Sequence, residues 1–478
     1  MTGLVIAGTS SDAGKSLITA GLCRALQRRG VDVAPFKAQN MSNNSMVCPD
    51  GSEIGRAQYL QAQAARLEPT SAMNPVLLKP GTDRRSFIVL RGEPAGTLEA
   101  GQYATGRRRL AEAAFAAYAE LAAAHELVLC EGAGSPAEIN LRAGDYVNFG
   151  LAERFDLPVV LCGDIDRGGV LAAIFGTWAI VDDADRALLA GYLINKFRGD
   201  QSVLDPGLAE LTVRTGLPCL GVVPWLPEVW LDGEDALAFA HWPRVPGAGG
   251  TLRVAAVRFP RISNATDLDA LAAEPGLDVI ATRSPAEVAD ADLVVLPGSR
   301  STLADLAWLR ERGLADAVAQ RARTGRPVLG ICGGYQMLAE VIDDPVESAS
   351  GVQPGLGLLP TRVDFSPDKV LGRPTGTWQG HRVEAYEIHH GVVTATGGEP
   401  FLDGVRQGAV WGTLWHGAFE NDGFRRDWLA EVAAASGSTW RPMPGAVGFR
   451  DRRELMLESL ADALEQCIDV DAVHRLAR

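Results

Sequence analysis

Paired cysteines, long apolar runs and an excess of positive charge are all missing from this chain. Its seven cysteines (Cys23, Cys48, Cys130, Cys162, Cys219, Cys332 and Cys467) fall singly, with no CxxC spacing among them. A compact disulfide framework is thereby excluded, and a reducing, cytoplasmic setting is expected. No apolar run reaches the ~18 residues that a membrane helix requires. The opening residues Met1 to Gly8 lack the basic start and long apolar core of a secretory signal. Lysine and arginine total 45 against 59 acids, a formal net charge of -14. That balance argues against nucleic acid as the main partner, since phosphate backbones need a basic surface. An anionic substrate would need local basic pockets, because the overall field repels it.

What is present is ordinary for a globular protein: 47% hydrophobic and 22% charged residues over 478 positions. That length predicts about two or three domains. Apolar segments at 4–7, 31–36, 127–130, 158–162, 192–195 and 220–223 alternate with helix-like stretches such as 16–29 and 110–124. Strands apolar on both faces suit a parallel sheet covered by helices, so the first half predicts a doubly wound α/β domain over 1–236. The Pro- and Gly-rich stretch within 237–250 predicts a linker. Alternation resumes at 252–259, 279–281, 293–296 and 328–331, predicting a second α/β domain over 251–478 closed by an amphipathic helix at 453–467.

Gly8-Thr9-Ser10-Ser11-Asp12-Ala13-Gly14-Lys15-Ser16 follows the first predicted strand and opens the first helix, the setting of a phosphate-binding loop. Glycines let backbone N–H groups converge on phosphate oxygens, and the helix N-terminus adds the positive end of its dipole. Gly8, Thr9, Asp12, Ala13, Gly14 and Lys15 are the candidate ATP loop. Lys15 is expected at the β- and γ-phosphates, and Ser16 at Mg²⁺. Five residues, rather than the common four, separate Gly8 from Gly14-Lys15. This longer loop resembles that of dethiobiotin synthetases, which activate a carboxylate with ATP. The resemblance implies that Lys37, after the second strand, contacts the transferred phosphoryl group. It also implies that Glu131, in Glu131-Gly132-Ala133-Gly134 at a strand's carboxyl end, is a second Mg²⁺ ligand. Asn195, ending another strand, is a candidate contact for the adenine.

Gly330-Ile331-Cys332-Gly333-Gly334 follows an apolar strand and precedes helix formers. Such a turn exposes a nucleophile, and a helix N-terminus there favours the thiolate. The Gly333 N–H lies where an oxyanion donor belongs, and the backbone at Gly298 is placed to supply a second. His416, in Gly412-Thr413-Leu414-Trp415-His416, is the candidate general base for Cys332. This order resembles class I glutamine amidotransferases. Many of those carry Glu two residues after the His; here that position is Ala418. Glu420, Glu387 and His389 all remain open as the group that orients His416.

The two half-sites explain each other: ATP turns a carboxylate into an acyl phosphate, and glutamine hydrolysis supplies ammonia to attack it. The tracts Lys37–Ser45, Glu53–Gln58, Met73–Pro80 and Glu131–Asn140 resemble the cobyric acid synthase family of cobyrinate amidotransferases. That resemblance spans nearly the whole chain. It implies amidation of the b, d, e and g carboxylates of adenosylcobyrinic acid a,c-diamide, with one glutamine and one ATP per amide. Gln39, Asn40, Ser42, Asn43 and Asn44 offer both donors and acceptors, which suits a ligand whose carboxylates become amides. They are therefore the expected corrinoid contacts. The alternatives are the sister enzyme that amidates the a and c carboxylates, another ATP-dependent glutamine amidotransferase, or an ATP switch related to the partitioning ATPases. The last would carry an extra lysine where Ser10 stands and would have no use for Cys332 and His416.

Overall fold

The computed structural model describes residues 2–82, 85–99, 103–230, 242–247 and 249–478. The chain divides into two compact units, one of Met1–Ser42, Cys48–Trp230 and Glu454–Arg478, the other of Asn43–Val47 and Leu231–Arg453.

The first unit is built on a six-stranded sheet in the order Cys219–Pro224, Leu189–Phe197, Val159–Asp164, Gly3–Gly8, Leu127–Glu131, Val33–Phe36. All five pairings are parallel. Val5, Ala7, Val128, Cys130, Val159 and Leu161 are fully buried within one core that also takes Phe36, Tyr118 and Phe149. Helices cover such a sheet because its strands have no polar face to turn to water. Gly3–Gly8 lies centrally, with later strands on one side and earlier-placed neighbours on the other. Its carboxyl end is thus the switch point where open α/β sheets bind ligands. A four-stranded sheet of Gln39–Met41, Val76–Thr82, Arg85–Leu90 and Glu93–Glu99 completes the unit.

The closing helix Phe449–Cys467 departs from expectation. The sequence reading assigned it to the C-terminal domain, but from Glu454 onward it belongs to the N-terminal unit. Arg24, on the helix Lys15–Arg28, has a fully buried side chain that meets Glu454 and Glu458 at 2.5 Å each. Arg28 and Arg29 reach Asp462 and Asp471.

The second unit has a seven-stranded sheet in the order Leu277–Thr282, Leu252–Val257, Leu293–Leu296, Val328–Ile331, Val410–Thr413, Gly404–Gln407, Glu399–Phe401. The first five strands are parallel and the last two antiparallel. A smaller sheet of Gly351–Pro354, Val341–Asp344, Thr361–Gly372 and Glu387–Ala395 stands beside it. Of the expected linker, residues 237–241 and 248 lie outside the described residues; 242–247 and 249–250 carry no helix or strand. No described helix is long and apolar enough to cross a membrane.

Candidate functional site

In the first unit, the loop after Gly8 turns into the helix Lys15–Arg28 through Gly14, whose φ of 90° a side chain rarely adopts. A Cβ at Gly14 would also lie 2.1 Å from Asn195 Nδ2. Asn195 therefore sits directly against the loop, its Nδ2 donating to the Ala13 carbonyl at 2.8 Å. Lys196 Nζ donates to the Asp12 carbonyl at 2.7 Å, and Thr9 N–H to the Cys162 carbonyl at 3.0 Å. Asp12 pairs with Arg167 at 2.8 Å. Lys15 curls over the loop, its Nζ donating to the carbonyls of Ser10 and Ser11 at 2.9 Å each.

Ser16, Lys37 and Glu131 come together. Ser16 Oγ donates to Glu131 Oε1 at 2.7 Å, and Lys37 Nζ reaches the same oxygen at 2.8 Å. The other carboxylate oxygen accepts from Gln61 Nε2 at 2.6 Å and Gln58 Nε2 at 3.4 Å. The sequence reading had not singled out Gln58 and Gln61 as site residues. They lie three apart on the helix Arg56–Ala64, a spacing that puts both on one face. Burial alone would raise the Glu131 carboxyl; the Lys37 ammonium and the hydrogen bonds from Gln61 and Ser16 outweigh it and hold the group below its ordinary value. An ionised carboxylate and a hydroxyl in contact fit Mg²⁺, which takes one or two protein oxygens and leaves its other positions to water and phosphate. The described residues hold no cluster of three or more His, Cys, Asp or Glu that would build an all-protein metal cage.

The polar tract after Lys37 is divided between the units. Asn40 Nδ2 donates to Gln58 Oε1 at 3.0 Å, and Gln39 accepts from the Tyr146 hydroxyl. Ser42 closes the first unit's portion, its N–H donating to the Leu78 carbonyl at 3.0 Å. Asn43 and Asn44 belong to the second unit. Asn43 keeps its side-chain oxygen buried with no hydrogen-bond partner, whereas Asn44 Oδ1 accepts from the Ala265 N–H at 3.1 Å.

In the second unit, Cys332 ends the strand Val328–Ile331 and precedes the short helix Gly333–Leu338. Its φ of 49° marks the strained turn that the glycine-rich sequence predicts. The glycines are needed for space: a Cβ at Gly333 would lie 2.7 Å from Ser299 N, and one at Gly334 1.9 Å from the Leu296 carbonyl oxygen. A Cβ at Gly298 would lie 3.1 Å from His416 Cε1. Gly298, Gly333, Cys332 and His416 thus converge, although they come from three separate strand ends.

The partner of His416 is Asp267, which the sequence reading missed. Its Oδ2 lies 2.6 Å from His416 Nδ1, and its Oδ1 accepts the Gly417 N–H at 2.8 Å. Tyr386 stacks on the imidazole with ring centroids 5.3 Å apart. With Nδ1 taken by Asp267, only the other ring nitrogen remains for proton transfer. Burial disfavours an imidazolium here, but the Asp267 carboxylate and the Cys332 sulfur override it and raise His416 from 6.5 to about 10. The groups left open by the sequence are engaged elsewhere: Glu420 pairs with Arg453 at 2.9 Å, and Glu387 lies 3.6 Å from His389. The signal for Asp267 was faint: two acids, Asp267 and Asp269, inside the apolar run 265–273. A buried acid implies a partner.

Residues 4–237 match the CobQ/CobB/MinD/ParA nucleotide binding domain, and residues 253–424 the CobB/CobQ-like glutamine amidotransferase domain. A cobyric acid synthase of Cutibacterium acnes is 65% identical, covering 100% of both chains. Those of Mycolicibacterium gilvum and Streptomyces avermitilis are each 56% identical, covering 100% and 99% of this chain and 97% and 96% of theirs. The chain therefore belongs to the cobyric acid synthase family of glutamine amidotransferase ligases.

Proposed function

We propose that this enzyme amidates the b, d, e and g carboxylates of adenosylcobyrinic acid a,c-diamide, using glutamine and ATP. The observation that carries the reading is the buried His416, paired with Asp267 and converging with the Cys332 turn, in a chain that also carries the Lys15, Lys37 and Glu131 cluster.

In the first half-reaction a corrinoid carboxylate oxygen attacks the γ-phosphorus of ATP, ADP leaves, and an acyl phosphate forms. Gly8, Thr9, Asp12, Ala13 and Gly14 form the phosphate cradle, and Asn195, bonded to the Ala13 carbonyl, is the adenine contact. Lys15 exchanges its loop carbonyls for phosphate oxygens, and Lys37 steadies the transferred group. Ser16 and Glu131 would hold Mg²⁺, which neutralises phosphate charge when bound. Gln39, Asn40, Ser42 and Asn43 are the corrinoid contacts; Asn44 spends its side-chain oxygen on Ala265.

In the second half-reaction the Cys332 thiolate attacks the glutamine amide carbon. The N–H groups at Gly333 and the Gly298 turn receive the oxyanion. The His416 imidazolium gives a proton to the departing ammonia, and water then hydrolyses the thioester to glutamate. Ammonia attacks the acyl phosphate, phosphate leaves, and an amide remains. The unit of Met1–Ser42, Cys48–Trp230 and Glu454–Arg478 carries activation and that of Asn43–Val47 and Leu231–Arg453 the glutaminase, in a cytoplasmic enzyme whose net charge of -14 is unsuited to nucleic acid.

The test is product mass. With Mg-ATP, glutamine and the a,c-diamide, successive steps that each exchange a hydroxyl for an amino group support the reading, ending after the fourth carboxylate named above. Amidation of cobyrinic acid at a and c, with the a,c-diamide untouched, would instead assign the sister activity.

A further inference from the structure

Asp267 meets His416 at the start of a six-residue helix, Asp267–Ala272, too short to fix its own position. The stretch before it is fixed from outside. Ser263 Oγ donates to the Asn43 carbonyl at 2.9 Å. Asn264 Oδ1 accepts the Ser45 N–H at 2.9 Å. Ala265 N–H donates to Asn44 Oδ1 at 3.1 Å. Three consecutive residues are thus bonded to three others, and the two asparagines exchange roles: each gives a side-chain oxygen to the opposite backbone. The two asparagine bonds are buried, with Asn264 2% and Asn44 8% exposed. Asn264 also has a φ of 52°, a left-handed turn that asparagine tolerates better than most residues. From that turn its carbonyl accepts the Asp267 N–H at 3.2 Å. The same stretch touches the oxyanion side, since Ile262 and Ser263 pair antiparallel with Ser299 and Gly298.

We propose that Asn264 and Asn44 are positioning residues for glutamine hydrolysis: their crossed hydrogen bonds hold the loop that presents Asp267 to His416. This rests on reading Cys332, His416 and Asp267 as the glutaminase. It gives part of the asparagine-rich tract a use other than ligand contact. The clasping segment is also the chain that leaves the phosphate-binding unit shortly after Lys37, so the glutaminase is completed by residues encoded within the synthetase half.

Asn264→Gly tests the proposal, because glycine keeps the positive φ and removes the side chain that carries the acceptor. With purified full-length enzyme, glutaminase kcat should fall on the order of 10-fold or more while the KM for glutamine changes little. The alkaline limb of the kcat profile should move to lower pH as Asp267 loosens from His416. Asn264→Asp, which keeps an oxygen for the Ser45 N–H, should restore most of the rate and the limb. Ammonia-dependent amidation by Asn264→Gly should match the wild type, showing a folded chain. A wild-type kcat and alkaline limb in Asn264→Gly would overturn the proposal. So would a lost rate with an unmoved limb and no recovery in Asn264→Asp, since that marks a structural defect. A wild-type enzyme that hydrolyses no glutamine would overturn the underlying reading, and the proposal with it.

Discussion

His416 shows what one residue can reveal and conceal in sequence. Its place beside Cys332 as a candidate was legible, because each follows an apolar strand and Cys332 stands in a glycine-rich turn. Asp267 was not legible, because it lies 149 residues from His416 and only the fold brings the two together. The Asp267 carboxylate raises His416 to about 10 from an ordinary 6.5. A raised basic group adds stability that is full below its unfolded value and lost as pH climbs through the folded one. The stabilisation from this pair should therefore decline between about pH 6.5 and 10. Asp267→Asn should lower glutaminase kcat by about 100-fold and bring its alkaline limb down toward the ordinary histidine range. An unchanged pH profile in that variant would remove Asp267 from the mechanism. Glu131 has the opposite sign: its depressed carboxyl contributes stability at neutral pH that is lost as pH falls through its folded value.

Among elements, the parallel strands were the most legible. Segments such as Leu127–Glu131 and Val328–Ile331 are buried at every position and followed within two residues by glycine. The four-stranded sheet beginning at Gln39–Met41 escaped notice because its strands are short or carry charge, proline and glycine, as in Val76–Thr82 and Glu93–Glu99. The closing helix was foreseen as a helix but given to the wrong domain: its amphipathic pattern does not say which apolar surface it covers. Its acids on Arg24 decide that. Arg24 also donates to the carbonyls of Ala64 and Gln63 at 2.7 and 3.0 Å, capping the helix Arg56–Ala64 that carries Gln58 and Gln61. Arg24→Ala should destabilise the N-terminal unit by about 2 kcal/mol, below the ~3–5 of a fully buried pair because Glu454 and Glu458 remain partly solvated. Thermal melting should show its transition several degrees lower, and an unmoved transition would show that the ion pairs contribute nothing net.

For the whole molecule, the proposed function puts two chemistries in one chain, with ammonia made by one and consumed by the other. The sequence carried this logic because each half has its own compact motif, a phosphate loop and a cysteine turn. It could not reveal that Asn43–Val47 belongs with the glutaminase unit, since that depends on hydrogen bonds between segments far apart in sequence. The most direct test compares nitrogen sources in Cys332→Ala. With Mg-ATP and the a,c-diamide, this variant should form no amide from glutamine and amidate at close to the wild-type rate from ammonium at alkaline pH. Product formed from glutamine by Cys332→Ala, or failure of that folded variant to use ammonia, would contradict the account.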